Sequence, residues 1–196
     1  MNYLAHAWLS FNQQEVLVGN MISDYVKGKK RFDYNATIQK GIMLHRSIDA
    51  FTDEHETTKA AKQLFKPLVG LYAGAFIDVA YDHFLACDTN EFTNESLLNF
   101  SLHTYTTLEK YEDVFPEKFA RMFPYMQADN WLYNYKTFDG IEKSFGGLTR
   151  RAKYLEHDPA VFECFLKNYE AIKHYYTLFF PSLKNFAYQQ FNAADK

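Results

Sequence analysis

Apolar positions along the chain recur every third or fourth residue rather than every second, which predicts helix nearly throughout. Capping signals divide that pattern. Asn12 and Glu15 form a capping-box pattern opening a helix that is predicted to run to about Val26, and Gly28 stands where a C-terminal cap is expected. Asn35 caps a helix that reaches Phe51 or beyond, and another is predicted over Leu71 to Cys87. A further helix starts near Asn94, and Pro116 occupies a first-turn position for the segment to Met126. Asp139 and Glu142 repeat the capping-box pattern, and Asp158-Pro159 opens a long C-terminal helix that Pro181 should kink or divide. The prediction is a single all-α bundle over residues 1–196, with about seven to nine helices and essentially no strand.

The informative feature is what occupies the buried stripes. Positions i, i+4, i+7 and i+11 share one helix face. Those rows read Leu17, Met21, Asp24; then Ile38, Ile42, His45, Asp49, with Asp53 one turn further; then Leu71, Ala75, Asp78, Asp82. Three helices thus carry an apolar stripe that turns acidic or imidazole-bearing at one end. A buried unpaired carboxylate costs several kcal/mol, and several facing one another repel. Salt bridges are one remedy, with Arg46, Arg150 or Arg151 as partners. A divalent metal is the other, and the coincidence of Asp24, His45, Asp49, Asp78 and Asp82 favours it. The oxygen-rich set suits Mg²⁺ or Mn²⁺ better than a thiolate zinc site. His83 follows Asp82 and points roughly 100° away, so one helix can serve a metal and a neighbouring proton-transfer or phosphate position. His6 lies off the Leu4, Trp8, Phe11 stripe, and spacing alone reads it as surface or interhelical.

Composition narrows the class. Of 196 residues, 47% are apolar and 18% aromatic, enough to fill a packed core. Eight Gly and five Pro are too few for the many tight turns of a β-sandwich or barrel. Lys+Arg 21 against Asp+Glu 24 leaves −3, so no nucleic-acid partner is expected. Two local clusters stand out against that balance. Lys27, Lys29, Lys30 and Arg31 follow Asp24 closely and would rim a metal site, where phosphate or an acidic protein binds, or else form a solvated loop. Gly146-Gly147 precedes Arg150 and Arg151, two guanidinium groups suited to bidentate phosphate contact, or to an ordinary exposed helix end. Cys87 and Cys164 lie far apart with no CxxC spacing, the pattern of buried thiols in a reduced, cytoplasmic setting. The longest apolar run, Leu68 to Ile77, is far short of the roughly 20 residues that span a bilayer. No basic region followed by a long apolar stretch opens the chain, so neither a secretory signal nor a membrane partner is expected.

Four blocks then carry a specific likeness: Met1-Asn2-Tyr3-Leu4-Ala5-His6, Gly19 to Gly28 (GNMISDYVKG), His45 to Asp53 (HRSIDAFTD) and Asp78 to Leu85 (DVAYDHFL). In that order and spacing the chain resembles the acyl carrier protein phosphodiesterase family, with weaker similarity through Trp131-Leu132 and Gly146 to Arg151. The resemblance implies a helical domain distantly related to HD-type phosphohydrolases. It implies cleavage of the phosphodiester joining 4′-phosphopantetheine to a carrier-protein serine, with Mn²⁺ or Mg²⁺ required. It also makes His6 a site residue. One departure is that no His-Asp dipeptide stands at a ligand position, and Asp82-His83 is reversed.

The expected mechanism gives Asp24, His45, Asp78 and Asp82 to the metal, with His6 and Asp49 as a further ligand or an orienting group. Arg46 or a lysine of the 27–31 cluster offsets charge on the phosphoryl oxygens. His83 protonates the departing serine oxygen, or Asp53 serves instead. The basic rim steers an acidic acyl carrier protein toward the site. Two other readings stay open on the residues alone: a phosphohydrolase of small phosphoesters or nucleotides, and a non-catalytic metal-binding helical module.

Overall fold

A computed structural model describes residues 1–152 and 160–193. Eleven α-helices and no strand are found among the described residues, so the all-α reading holds with more pieces than expected. They are α1 (Tyr3–Trp8), α2 (Gln14–Ile22), α3 (Ala36–Glu54), α4 (Glu56–Val69), α5 (Ala73–Cys87), α6 (Asn94–Glu109), α7 (Glu117–Ala128), α8 (Trp131–Asn134), α9 (Phe138–Arg151), α10 (Ala160–Lys167) and α11 (Tyr169–Ala193). Two 3₁₀ segments, Ser23–Tyr25 and Gly28–Asp33, link α2 to α3.

The pair α2 and α3 organises the site end of the molecule. They meet backbone to backbone: a Cβ on Gly19 would lie 2.0 Å from the Ile38 carbonyl oxygen, and one on Gly41 would lie 2.2 Å from that of Val16. No side chain larger than hydrogen fits at either position, so the two helices approach more closely than ordinary ridge packing allows. Asn35 caps α3 as predicted, its Oδ1 accepting the Ile38 N–H at 2.9 Å. α1 packs across α2 and α5, and α11 covers α3, α4 and α5. The space among them is filled by aromatic side chains such as Phe65, Phe76, Tyr81 and Phe179, all buried.

Several predicted boundaries move. Asn12 does not cap α2; Phe11 and Asn12 both take left-handed backbone (φ 51° and 58°), and Gln13 precedes the helix. The Phe11 ring lies 5.0 Å from Phe191, which holds that turn against α11 and defeats the local capping-box signal. α2 stops at Ile22, short of Val26. Gly28 has the positive φ of a capping glycine, yet it opens the second 3₁₀ segment. Thr137 caps α9 in place of Asp139, whose carboxylate instead pairs with Lys143 at 2.8 Å. Pro116 is the cap of α7, one position before its first turn. α4 is a helix the prediction did not contain, although Thr58, Ala61, Phe65 and Val69 form its buried stripe; Pro67 sits in its last turn. Pro181 lies inside an unbroken α11, and the C-terminal region divides at Asn168 instead. Asp158-Pro159 lies outside the described residues.

The helical stretch Glu56–Cys87 is long and apolar enough by composition to cross a membrane. Here it is broken at Gly70 (φ 56°), and its two halves, α4 and α5, fold back on each other. Cys87 is exposed at the end of α5 and Cys164 half-buried, so the expectation of two buried thiols is corrected; both are free.

Candidate metal centre and active site

The close approach of α2 and α3 places Asn20, the residue after Gly19, between two imidazoles. Its Oδ1 lies 2.9 Å from His6 Nδ1, and its main-chain oxygen lies 2.8 Å from His45 Nδ1. Both Asn20 atoms accept, so both Nδ1 atoms must carry the proton. Asn20 Nδ2 donates to the His6 carbonyl at 2.8 Å and to Ser10 Oγ at 3.1 Å, which fixes the orientation of the amide. The two rings stack at 3.8 Å between centroids, 15° from parallel, and both are buried.

With Nδ1 occupied, each ring turns Nε2 toward the same carboxylate. His6 Nε2 lies 3.1 Å from Asp49 Oδ1, and His45 Nε2 lies 3.1 Å from Asp49 Oδ2. Asp24 Oδ1 sits 3.2 Å from His45 Nε2. Helix periodicity gives the His45–Asp49 pair as i, i+4 on α3, and the 3₁₀ turn after α2 swings Asp24 back over it. The Asp24 side chain is 64% exposed and that of Asp49 40%, so the carboxylates form the open side of a buried imidazole floor.

The electrostatics show how tightly these groups are coupled. Burial alone would lower His45, yet its hydrogen bonds to Asp24 and Asp49 lift it to about 9. His6 is driven down to about 4 by burial and by the neighbouring His45, against the pull of Asp49. Burial opposes ionisation of Asp49, but His6, His45 and the N-terminal ammonium hold its pKa well below the usual carboxylate range. Asp24 is lowered by its hydrogen bond to His45. The cluster therefore holds one proton where a cation of higher charge can sit. Ligand atoms of His6, His45 and Asp49 lie within 4.8 Å of one another, and Asp24 is beside them. Two imidazole nitrogens and two carboxylates are a donor set that fits a divalent metal, with Asn20 as the outer partner that orients both rings.

The other predicted site residues are placed elsewhere. Asp82 is fully buried and accepts main-chain N–H groups of Asn2 (3.2 Å), Leu4 (2.7 Å) and Ala5 (3.4 Å), so it closes off the first turn of α1. Burial raises it to about 7 despite those bonds and the nearby ammonium. Asp78 pairs with the Met1 ammonium at 3.0 Å, and the same ammonium lies 3.6 Å from Asp49. Despite burial, the two aspartates lift that ammonium to about 10. His83 points away from the cluster: Nδ1 bonds the Tyr135 carbonyl at 2.7 Å, Nε2 lies 2.9 Å from Tyr169 Oη, and Phe84, Phe138 and Phe165 surround it. Asp53 extends toward α4, where Lys62 pairs with it at 2.6 Å. Arg46 donates to the Val26 carbonyl at 2.9 Å and so pins the segment after Asp24. Lys27, Lys29 and Lys30 are exposed on that segment, and Arg31 reaches Met43 Sδ at 2.9 Å and covers the Phe32 ring. Arg150 and Arg151 end α9, on the lining of a cavity that Asn2 and Tyr3 also wall.

Asn20 was missed because a neutral amide leaves no mark in a search for charge on apolar stripes. Its signal was positional: it follows the glycine that lets α2 touch α3, within the block that carries the likeness.

A family model described as acyl carrier protein phosphodiesterase matches residues 1–183. The chain is similar to the acyl carrier protein phosphodiesterase of Klebsiella pneumoniae subsp. pneumoniae, 28% identical over 95% of this chain and 97% of that one. It is similar also to that of Photorhabdus laumondii subsp. laumondii, 29% identical over 92% of each chain. No solved structure matches it significantly. With the match running from the first α1 residues through most of α11, the chain belongs to the acyl carrier protein phosphodiesterase family.

Proposed function

We propose that the protein hydrolyses the phosphodiester between 4′-phosphopantetheine and the serine of a holo acyl carrier protein, giving the apo carrier. The observation that carries this reading is the pair of stacked imidazoles, both turned by Asn20 toward Asp49 and Asp24, in a chain that belongs to this family. His6, His45, Asp49 and Asp24 would hold the ion. A divalent ion bound there supplies an acidified water and polarises a phosphoryl oxygen. The two imidazole donors favour Mn²⁺ over Mg²⁺, which prefers oxygen ligands and retained waters.

The remaining predicted residues take supporting parts. Asp78 and Asp82 fix the N-terminal segment against α5, so that His6 on α1 meets His45. Arg46 holds the segment bearing Asp24 and the lysines. Lys27, Lys29, Lys30 and Arg31 present positive charge beside the open face, which suits an acidic carrier protein and makes association fall with salt. His83 and Asp53 take no step in the reaction; their polar atoms are engaged by Tyr135, Tyr169 and Lys62. Free thiols at Cys87 and Cys164 agree with a reducing, cytoplasmic setting.

The test is the intact mass of holo acyl carrier protein after incubation with the protein and Mn²⁺, beside an EDTA control. Loss of the phosphopantetheine mass only with metal is the expected result. Turnover of small phosphoesters with the holo carrier left intact would overturn the substrate.

A further inference from the structure

A cavity of about 510 Å³ opens beside the N-terminal segment, within the range of small-molecule sites. Asn2 and Tyr3 wall one side of it, directly after the Met1 ammonium that pairs with Asp49 and Asp78. Val79, next to Asp78 on α5, lines it too, so the chain that borders the imidazole cluster also borders this space. Tyr3 is tied to the cluster a second way: its hydroxyl lies 2.9 Å from that of Tyr25, the neighbour of Asp24.

The rest of the lining comes from α8, α9 and the turn before them, and it mixes flat apolar surface with neutral hydrogen-bonding groups. Trp131 supplies the first; Asn2, Asn130 and Tyr3 supply the second. The Asn2 amide is held by its own donation to Tyr135 Oη at 3.0 Å. Charge is nearly balanced there. Lys143 is paired with Asp139, Asp129 adds another carboxylate, and Arg150 and Arg151 stand exposed at the rim. The two arginines stand at the rim, and a neutral chain with amides and a hydroxyl would meet amide and phenol partners along the wall.

Resting on the phosphodiesterase reading above, we infer that this cavity receives the pantetheine arm of the holo carrier, with its phosphodiester end toward the imidazole cluster. Pantetheine is such a chain: two amides, one hydroxyl, a branched dimethyl carbon and a terminal thiol. Arg150 and Arg151 then act at the mouth, on the carrier protein or the arm, rather than on the scissile phosphate. Recognition of the arm would let the protein distinguish holo from apo carrier before any bond is broken.

Gly147 provides the test. It lines the cavity, and a Cβ added there meets only the tip of Arg150 at 3.9 Å, so a side chain can start into that space without a clash. Binding of apo and holo acyl carrier protein is measured by calorimetry in EDTA, where no turnover occurs. The wild-type protein is expected to bind the holo form at least about tenfold more tightly. Gly147→Phe is expected to bring the two affinities to within about twofold, by weakening holo alone, while retaining apo affinity as the sign of an intact fold. Persistence of the holo preference in Gly147→Phe would overturn the inference. So would equal wild-type affinity for both forms, a result that needs no variant and leaves the hydrolysis assay to judge the function separately. Failure of wild type to bind or cleave the holo carrier would remove both readings together.

Discussion

The carboxylate and imidazole groups of α3 and those of α5 began as the same kind of signal, and the fold gives them opposite uses. On α3, His45 and Asp49 point at acceptors and donors that are themselves side chains, His6 and Asp24, across an opening to solvent. On α5, Asp82 spends its oxygens on three backbone N–H groups and Asp78 pairs with the terminal ammonium, while His83 fills both ring nitrogens inside an aromatic nest. What separates the proposed metal centre from a structural pin is therefore who takes the lone pairs. Nε2 of His6 and His45 have only carboxylates before them, and those a cation can share. Asp82 has nothing left to give an ion except at the expense of the first turn of α1.

The contrast breaks first at the metal. His45→Ala or Asp49→Asn is expected to lower both metal affinity and kcat/KM on the holo carrier by more than about a hundredfold, beyond what loss of an outer partner costs. Calorimetric titration with Mn²⁺ beside the mass assay reads both quantities. Unchanged metal binding in either variant would remove the centre from α3. Asn20→Ala comes next. It leaves every proposed ligand in place but frees both rings to turn, so a loss of about 10- to 100-fold in metal affinity is expected. A purely structural Asn20 would lower the melting temperature and leave the affinity of the folded protein alone.

How much of this was legible depends on where each partner sits. The all-α class follows from a period of three to four that no local error can disguise. Helix ends were less secure because Phe11 and Asn12 adopt a left-handed turn fixed by Phe191, a contact 180 residues away in sequence that no capping pattern contains. In the site, Asp24, His45 and Asp49 could be read from their stripes. His6 could not, since a six-residue helix buried on nearly every side shows no stripe, and only the family likeness singled it out. Asp78 and Asp82 are read as ligands from stripes of the same kind; in the structure their partners are the N-terminal amine and the backbone of α1, and backbone groups leave no residue-type signature.

α5 supplies the next way to sharpen the comparison. Asp82→Ala strands the N–H groups of the first turn of α1 in a buried setting, where each unmet donor costs about 1–3 kcal/mol. The carboxylate's own burial, visible in its upward shift to about 7, offsets part of that. A net loss of about 2 kcal/mol is expected, or about 4–8 °C in melting temperature for a chain of this size. Metal affinity of the folded variant should change by less than about threefold, since no proposed ligand is touched. A hundredfold loss of affinity with unchanged stability would instead put Asp82 among the ligands.

The last way to sharpen the comparison is a matter of pH, and it separates the two histidines of the cluster. His45 must give up a proton for Nε2 to bind a metal, and Asp24 and Asp49 hold that proton until about pH 9. His6, lowered to about 4, has none to lose near neutrality, and the carboxylates are already ionised. Apparent metal affinity is therefore expected to climb close to tenfold per pH unit from about 7 to about 9 and to level off above, the slope of one displaced proton. An unshifted histidine would level off near 6.5. The same proton acts on stability in the metal-free protein with the opposite sense. Because the folded pKa of His45 lies above its unfolded value of about 6.5, its contribution is fully present below pH 6.5 and disappears as pH rises through about 9. Chemical denaturation in EDTA across that window should show a steeper decline for wild type than for His45→Gln, in which the raised N-terminal ammonium and Asp82 still titrate. A wild-type curve that falls no faster than the variant's would mean that the carboxylates do not hold a proton on His45, and the place where a cation is proposed to sit would lose its electrostatic basis.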